Sequence, residues 1–168
     1  HLGTYAIVTV GVIQNSETLA QKAFAKRTTH FSEMGGGEVN PTELVATLIN
    51  QESSFENGIR AAQDAIEGSC SILILSQHGI FAARDKFGRT PVILGKKKGS
   101  FAATLETSAF LNLDYEKDRN LGPGEVVLIT PEGVEVKKSP LKRLQICSFL
   151  WVYYGYPSSD YEDINVEV

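Results

Sequence analysis

Cysteine is scarce, with only Cys70 and Cys147 in 168 residues. That is too few for a disulfide framework and points to a reducing, cytoplasmic compartment. Long hydrophobic runs are missing too: the apolar stretches at 71–75 and 126–129 fall far short of the roughly 20 residues a membrane span needs. There is no surplus of positive charge. Sixteen Lys and Arg stand against twenty Asp and Glu, a formal net charge of −4, which argues against a nucleic-acid partner. Internal repeats, heptads and low-complexity tails are absent, and no secretory leader follows His1. Solenoid, coiled-coil and disordered classes are thereby excluded. What is present is ordinary globular material, 42% hydrophobic and 21% charged, enough for one core.

The apolar run at 5–10 reads as a buried strand. Beginning so soon after His1, it suggests part of a longer chain. Asn15 or Ser16 can cap a following helix whose apolar face is Leu19, Ala23 and Phe24, with Lys26 and Arg27 near its negative end. Residues 33–38, with Gly35, Gly36 and Gly37, read as a loop. Asn40, Pro41, Thr42 and Glu43 form a helix start: Asn caps, Pro takes the first turn, and Glu sits three residues on. Leu44, Val45, Leu48 and Ile49 supply its stripe. Phe55, Ile59, Ala62 and Ile66 mark a third helix, ended by Gly68. Hairpins are then predicted around 76–79, around 95–99 with a charged tip at Lys96, Lys97 and Lys98, and around 131–133. A short helix falls near 107–111, and 149–154 reads as an aromatic strand or a segment crossing the sheet. Helices first and antiparallel hairpins after them indicate an α+β fold.

Individually, few residues announce chemistry. Cys70 opens an apolar strand and Cys147 precedes Phe149 and Trp151, so both read as buried structural thiols. His30 and His78 lie in polar surroundings, and no His/Cys spacing matches a zinc site. The glycine triplet lacks the Lys-Ser/Thr of a phosphate loop. The run from Ala83 through Arg84, Asp85, Gly88, Arg89 and Thr90 to Pro91 is the most unusual string, and on physical grounds it reads as an ornate turn.

That run, continued from Gly79 to Gly95, resembles the Arg-Asp-Gly-Pro hairpin of class II glutamine amidotransferase domains. The likeness is nearest to the glutaminase domains of amidophosphoribosyltransferases, enzymes of purine synthesis. Ala103-Thr104-Leu105-Glu106-Thr107 is similar to that family's Ala-Ser-Glu segment. Leu121-Gly122-Pro123-Gly124-Glu125-Val126 resembles its Pro-Gly-Glu turn, and Cys147 through Ser159 its closing aromatic stretch. The four come in the family's order across essentially the whole chain.

The resemblance implies an Ntn-hydrolase fold, an αββα sandwich of two antiparallel sheets between helical layers, here incomplete at its N-terminus. Residues 1–157 form the partial domain, and 158–168, polar and acidic, an exit toward a C-terminal domain. In the family an N-terminal cysteine attacks the glutamine amide, an oxyanion loop stabilises the tetrahedral intermediate, and an acidic group holds the substrate's amine. Here His1 is no such nucleophile. Thr9, Val10 and Gly11 stand where active members carry His-Asn-Gly, and Val10 has no side-chain donor. The glutamine-binding aspartate falls at Pro41, with Glu43 retained. Leu150, Tyr156 and Ser158 replace the closing motif's glutamate, arginine and aspartate.

The first expectation is a diverged glutaminase-like domain without catalysis. The alternative is a fragment of an active glutamine-hydrolysing amidophosphoribosyltransferase whose cysteine lies upstream. A third, an unrelated α+β interaction module, predicts no double-sheet sandwich. In either of the first two, residues 1–168 alone show no glutaminase activity. The implied partners are glutamine or a related small molecule, the absent N-terminal segment, a C-terminal phosphoribosyltransferase-like domain and further copies in an oligomer. No cofactor, metal, nucleic acid or membrane is implied.

Overall fold

The computed structural model describes residues 1–25, 34–35 and 38–167. Lys26, Arg27, His30, Gly36 and Gly37, singled out above, lie outside the described residues. The chain opens with strand β1 (Ala6–Ile13), helix α1 (Ser16–Ala25) and a two-stranded ribbon of β2 (Met34–Gly35) and β3 (Glu38–Val39). Helices α2 (Pro41–Ile49) and α3 (Phe55–Ala65) follow. Strands β4 (Gly68–Ser76), β5 (Gly79–Ala83), β6 (Ile93–Lys97) and β7 (Ser100–Thr104) precede helix α4 (Ser108–Asn112). Then come β8 (Glu116–Asn120), β9 (Val126–Thr130), β10 (Gly133–Lys138), a π-helical turn (Leu150–Tyr154) and a hairpin of β11 (Asp160–Tyr161) and β12 (Ile164–Asn165).

Two antiparallel sheets result, one of five strands in the order β1-β4-β5-β9-β10 and one of three in the order β7-β6-β8. Strand alternation sorts side chains into two cores. Ile72, Ile74, Phe81 and Ala83 on one face of the larger sheet bury Leu44, Val45, Ile49, Phe55 and Ile59 of α2 and α3. From its other face Ala82, Val127 and Ile129 meet Val92, Leu94 and Leu121 of the smaller sheet. Beyond that sheet lies α4. Gly95 faces it, and a Cβ there would stand 2.5 Å from the Phe110 ring, so only glycine lets the helix settle this close. The layer order, helix–sheet–sheet–helix, is the αββα sandwich implied above, its last layer holding one short helix among the described residues.

The helix starts follow their sequence signals. Asn40 accepts from the backbone N–H of Thr42 at 2.9 Å and of Glu43 at 3.3 Å, with Pro41 next to it, and Ser54 caps α3 through Asn57 at 3.2 Å. Other expectations need correction. The run at 5–10 is an edge strand rather than a buried one, leaving Val8 59% and Val12 67% exposed. Its uncharged composition does not reveal that one face has no cover. Phe24 of α1 is exposed, and Gly68 opens β4 instead of ending α3. The charged hairpin turns only at Lys98 and Gly99, because Lys96 and Lys97 pair within β6. Residues 149–154 form no strand but the π-helical turn, with Tyr153 83% exposed. Within the polar and acidic segment at 158–167, Ser159 and Tyr161 are wholly buried.

Candidate functional site

Four segments converge at the β1 end of the larger sheet: β1 itself, the start of α2, the loop after β5, and the π-helical turn. Successive residues of β1 point to opposite faces. Thr9 faces the helices, and its hydroxyl lies 2.6 Å from that of Thr42 in the first turn of α2. The structure thus brings the Thr9-Val10-Gly11 segment beside Pro41 and Glu43. Val10 points the other way, toward the inter-sheet side. Gly11 stands opposite Cys70 with φ +154°, and a Cβ on it would sit 1.9 Å from the Ser69 carbonyl oxygen. Only glycine fits there.

The loop after β5 is a structural knot. Arg84 and Asp85 are both 1% exposed. The Arg84 guanidinium donates to the carbonyls of Gly88 and Leu121 at 2.6 Å and of Thr90 at 3.2 Å. Its carboxylate partner is Glu162, whose Oε1 lies 2.5 Å from Nη2 without a direct hydrogen bond. A buried guanidinium is tolerated when its charge and its fork of donors are met in this way. Asp85 accepts from the N–H of Phe87 at 3.0 Å and of Thr90 at 2.9 Å. Gln63 donates to the Arg84 carbonyl and Ser71 accepts from the Asp85 N–H. These groups organise the loop rather than react. The ring of Phe87 carries Lys86 and Arg89 at 5.5 and 5.0 Å from its centre, and Pro91 closes the loop.

Arg89, Thr90 and Pro91 form one wall of a cavity of about 340 Å³. Its other walls are Val10, Gly11 and Val12 of β1, Ser69, Leu105, and Cys147, Phe149, Leu150 and Tyr153. Most of this lining is hydrocarbon or aromatic. Cys147 is exposed here, not buried as its apolar neighbours suggested. Cys70 is buried on the helix side, where burial, with Asp85 adding to it, pushes its thiol up to about 12. That sulfur is no nucleophile at neutral pH. His78 sits exposed in the β4–β5 turn. Among the described residues no group of three His, Cys, Asp or Glu side chains is placed to hold a metal ion, and no helix is long and apolar enough to cross a membrane.

The remaining motifs also act as braces. Glu125 of the Pro-Gly-Glu turn receives Arg119 in a two-pronged pair at 3.0 and 2.7 Å and the Gly122 N–H at 2.7 Å. Glu106 accepts from the Tyr161 hydroxyl at 2.6 Å. Neither Thr42 nor Leu105 is legible in the sequence as part of the site. Thr42 lay between two named residues, and a Thr–Thr contact between a strand and a distant helix carries no local signal.

A family description of the glutamine amidotransferase domain matches residues 1–112. The chain is 27% identical over 128 residues to the amidophosphoribosyltransferase of Bacillus subtilis (strain 168), covering 74% of this chain and 27% of that protein. It is 25% identical over 165 residues to the chloroplastic amidophosphoribosyltransferase of Glycine max, covering 94% and 28%. The solved structure of the B. subtilis glutamine phosphoribosylpyrophosphate amidotransferase complexed with ADP and GMP superposes with a TM-score of 0.85 and 25% identity, over 98% of this chain and 35% of that one. A second solved structure, described as the allosteric regulatory enzyme of purine biosynthesis, shares the fold with a TM-score of 0.83 at 23% identity, over 96% and 34%. The fold is that of the Ntn-hydrolase amidotransferases. The chain spans about a third, or less, of the length of these relatives.

Proposed function

The chain belongs to the glutamine amidotransferase domain family, and from that premise we propose that it is a diverged glutaminase-like domain which binds or assembles but does not hydrolyse glutamine. One observation carries this reading: the side chain of Val10, which the motif resemblance aligns with the family's oxyanion asparagine, lines a largely apolar cavity. A tetrahedral intermediate concentrates negative charge on one oxygen, and a hydrocarbon there offers it no hydrogen. Losing one such donor slows catalysis by about 10²–10³-fold. The entrance to α2 supports the same reading. Pro41 has neither carboxylate nor N–H, and the free N–H groups of Thr42 and Glu43 are taken by the Asn40 side chain.

In this reading the glutaminase scaffold persists for a structural or ligand-binding role, ahead of a phosphoribosyltransferase-like domain in a longer polypeptide. The test is ammonia release from glutamine by that complete natural polypeptide. No turnover is expected, and cysteine-dependent turnover at an ordinary enzymatic rate overturns the proposal. A second reading, a segment of an active enzyme with its nucleophile upstream, draws on the intact Arg84–Asp85 knot and Glu125 turn. In that case Val10→Asn in the complete polypeptide raises the glutaminase rate by about 10²-fold or more. In a silent domain it changes nothing.

A further inference from the structure

The polar groups on the cavity beside β1 come from two adjoining segments, the loop after β5 and the start of β4. Arg89 is half-buried on the wall, with its guanidinium over the ring of Phe87. Among the described residues no carboxylate or carbonyl receives its N–H groups. Stacking on a ring covers one face of a guanidinium and leaves the donors along its edge free for an anion. Ser71 donates to the Thr90 carbonyl at 3.3 Å, and Ser69 lies two residues back along β4, on the same face. The hydroxyls of Ser69 and Thr90 likewise have no hydrogen-bond partner among the described residues. The rest of the wall is mostly hydrocarbon and aromatic. Phe149 and Tyr153 stand edge to face, 6.1 Å between ring centres, and both are exposed. Among the residues of this lining there is no aspartate or glutamate.

Resting on the reading of a domain that binds without hydrolysing, we propose that this cavity takes a small monocarboxylic acid with an apolar or aryl body, in place of glutamine. The carboxylate meets Arg89, with Ser69 and Thr90 beside it, and the body lies against Leu105, Phe149 and Tyr153. Charge selects this class. Glutamine brings an ammonium and a carboxamide along with its carboxylate, and each polar group taken out of water has to be met. A lining with a cation and no acid leaves the ammonium unanswered. A phosphate monoester brings about two negative charges against one guanidinium, whereas a carboxylate matches both its charge and its two-pronged geometry. Size agrees as well. A cavity of about 340 Å³ stands at the small end of the roughly 300–1,000 Å³ of ligand sites, in which a few polar groups orient a mainly apolar guest.

The test is a calorimetric titration of the complete natural polypeptide with 3-phenylpropionate. Saturable binding is expected, with a dissociation constant of about 1 mM or tighter for a probe of this size. The uncharged 3-phenylpropanamide, acetate, which has no body, and L-glutamine are each expected to bind about 10-fold more weakly or worse. No saturation by 3-phenylpropionate overturns the proposal, and so does equal or tighter binding of the amide or of glutamine. Arg89→Met keeps a side chain that can rest on the Phe87 ring and is expected to weaken the probe by about 10-fold or more. Unchanged affinity in that variant overturns the assignment. Should the variant not fold, the comparison of acid with amide on the unaltered protein still decides. Cys147, on the same wall, reports the location: saturating probe is expected to slow its reaction with a disulfide reagent by about 10-fold, and an unchanged rate places the probe elsewhere and refutes the proposal. Absence of both binding and ammonia release overturns this inference and leaves the silent-domain reading standing, whereas glutamine turnover overturns that reading itself.

Discussion

Glu162→Ala tests whether the buried Arg84 knot depends on a carboxylate supplied by the last hairpin. Arg84 is 1% exposed and Glu162 19% exposed. Removing one partner of a buried pair typically costs about 3–5 kcal/mol, because the other charge is left uncompensated. Here three carbonyl oxygens continue to hold the guanidinium. The contact is also a close approach of charges rather than a direct hydrogen bond. The expected loss therefore lies at or below the lower end, about 2–3 kcal/mol. For a chain of this size that is a fall in melting temperature of about 5–10 °C. Urea unfolding followed by Trp151 fluorescence gives the free energy, and calorimetry the midpoint. Glu162→Gln, which keeps the shape and removes the charge, is expected to lose roughly half as much. Adding Arg84→Met should recover at least about 1 kcal/mol of coupling in a double-mutant cycle. A loss below about 0.5 kcal/mol for Glu162→Ala refutes the reasoning, since the carbonyl dipoles alone would then satisfy the guanidinium.

At pH 8 a disulfide reagent is expected to modify Cys147 at least about 100-fold faster than Cys70 in the native protein, and both equally in denaturant. Because Cys70 holds its proton up to about 12 when folded, against an ordinary 9.0, the native state binds more protons in that window. Stability therefore falls as pH rises above 9, and Cys70→Ala removes that part of the slope. Gly95→Val drives a side chain into the Phe110 ring and should cost about 1–3 kcal/mol, with α4 losing exchange protection first. Asn40→Ala frees the Thr42 and Glu43 N–H groups and should cost about 1 kcal/mol in chemical unfolding.

What the sequence disclosed was local. The Asn40-Pro41 helix start, the spacing of Phe55, Ile59 and Ala62, and the two-residue turn at Gln77 and His78 are set by neighbours a few positions away, and the structure keeps all three. Strand β8, Glu-Lys-Asp-Arg-Asn, was illegible because it has no apolar residue: its pairing with β6 rests on backbone hydrogen bonds and on ion pairs such as Lys96 with Asp118. An uncharged run such as β1 looks the same in sequence whether it lies at the centre or the edge of a sheet. The two flanks of the candidate site were readable from ordered motifs. Their junction through Thr9 and Thr42, and the placing of Cys147 on a cavity wall, depend on tertiary packing that no local pattern encodes.

Similarity and folding integrity divide this molecule at different points. The family match stops at residue 112, yet Tyr161, with its hydroxyl on Glu106 and its ring edge-on to Trp151, works as a keystone set in after the arch. A splice at 112 leaves out two of the five strands in the main sheet. One at 157 spares every strand of both sheets but withdraws the keystone and Glu162, the carboxylate that Arg84 meets. Any swap or fusion that treats this domain as portable therefore has to carry the tail to at least Asn165.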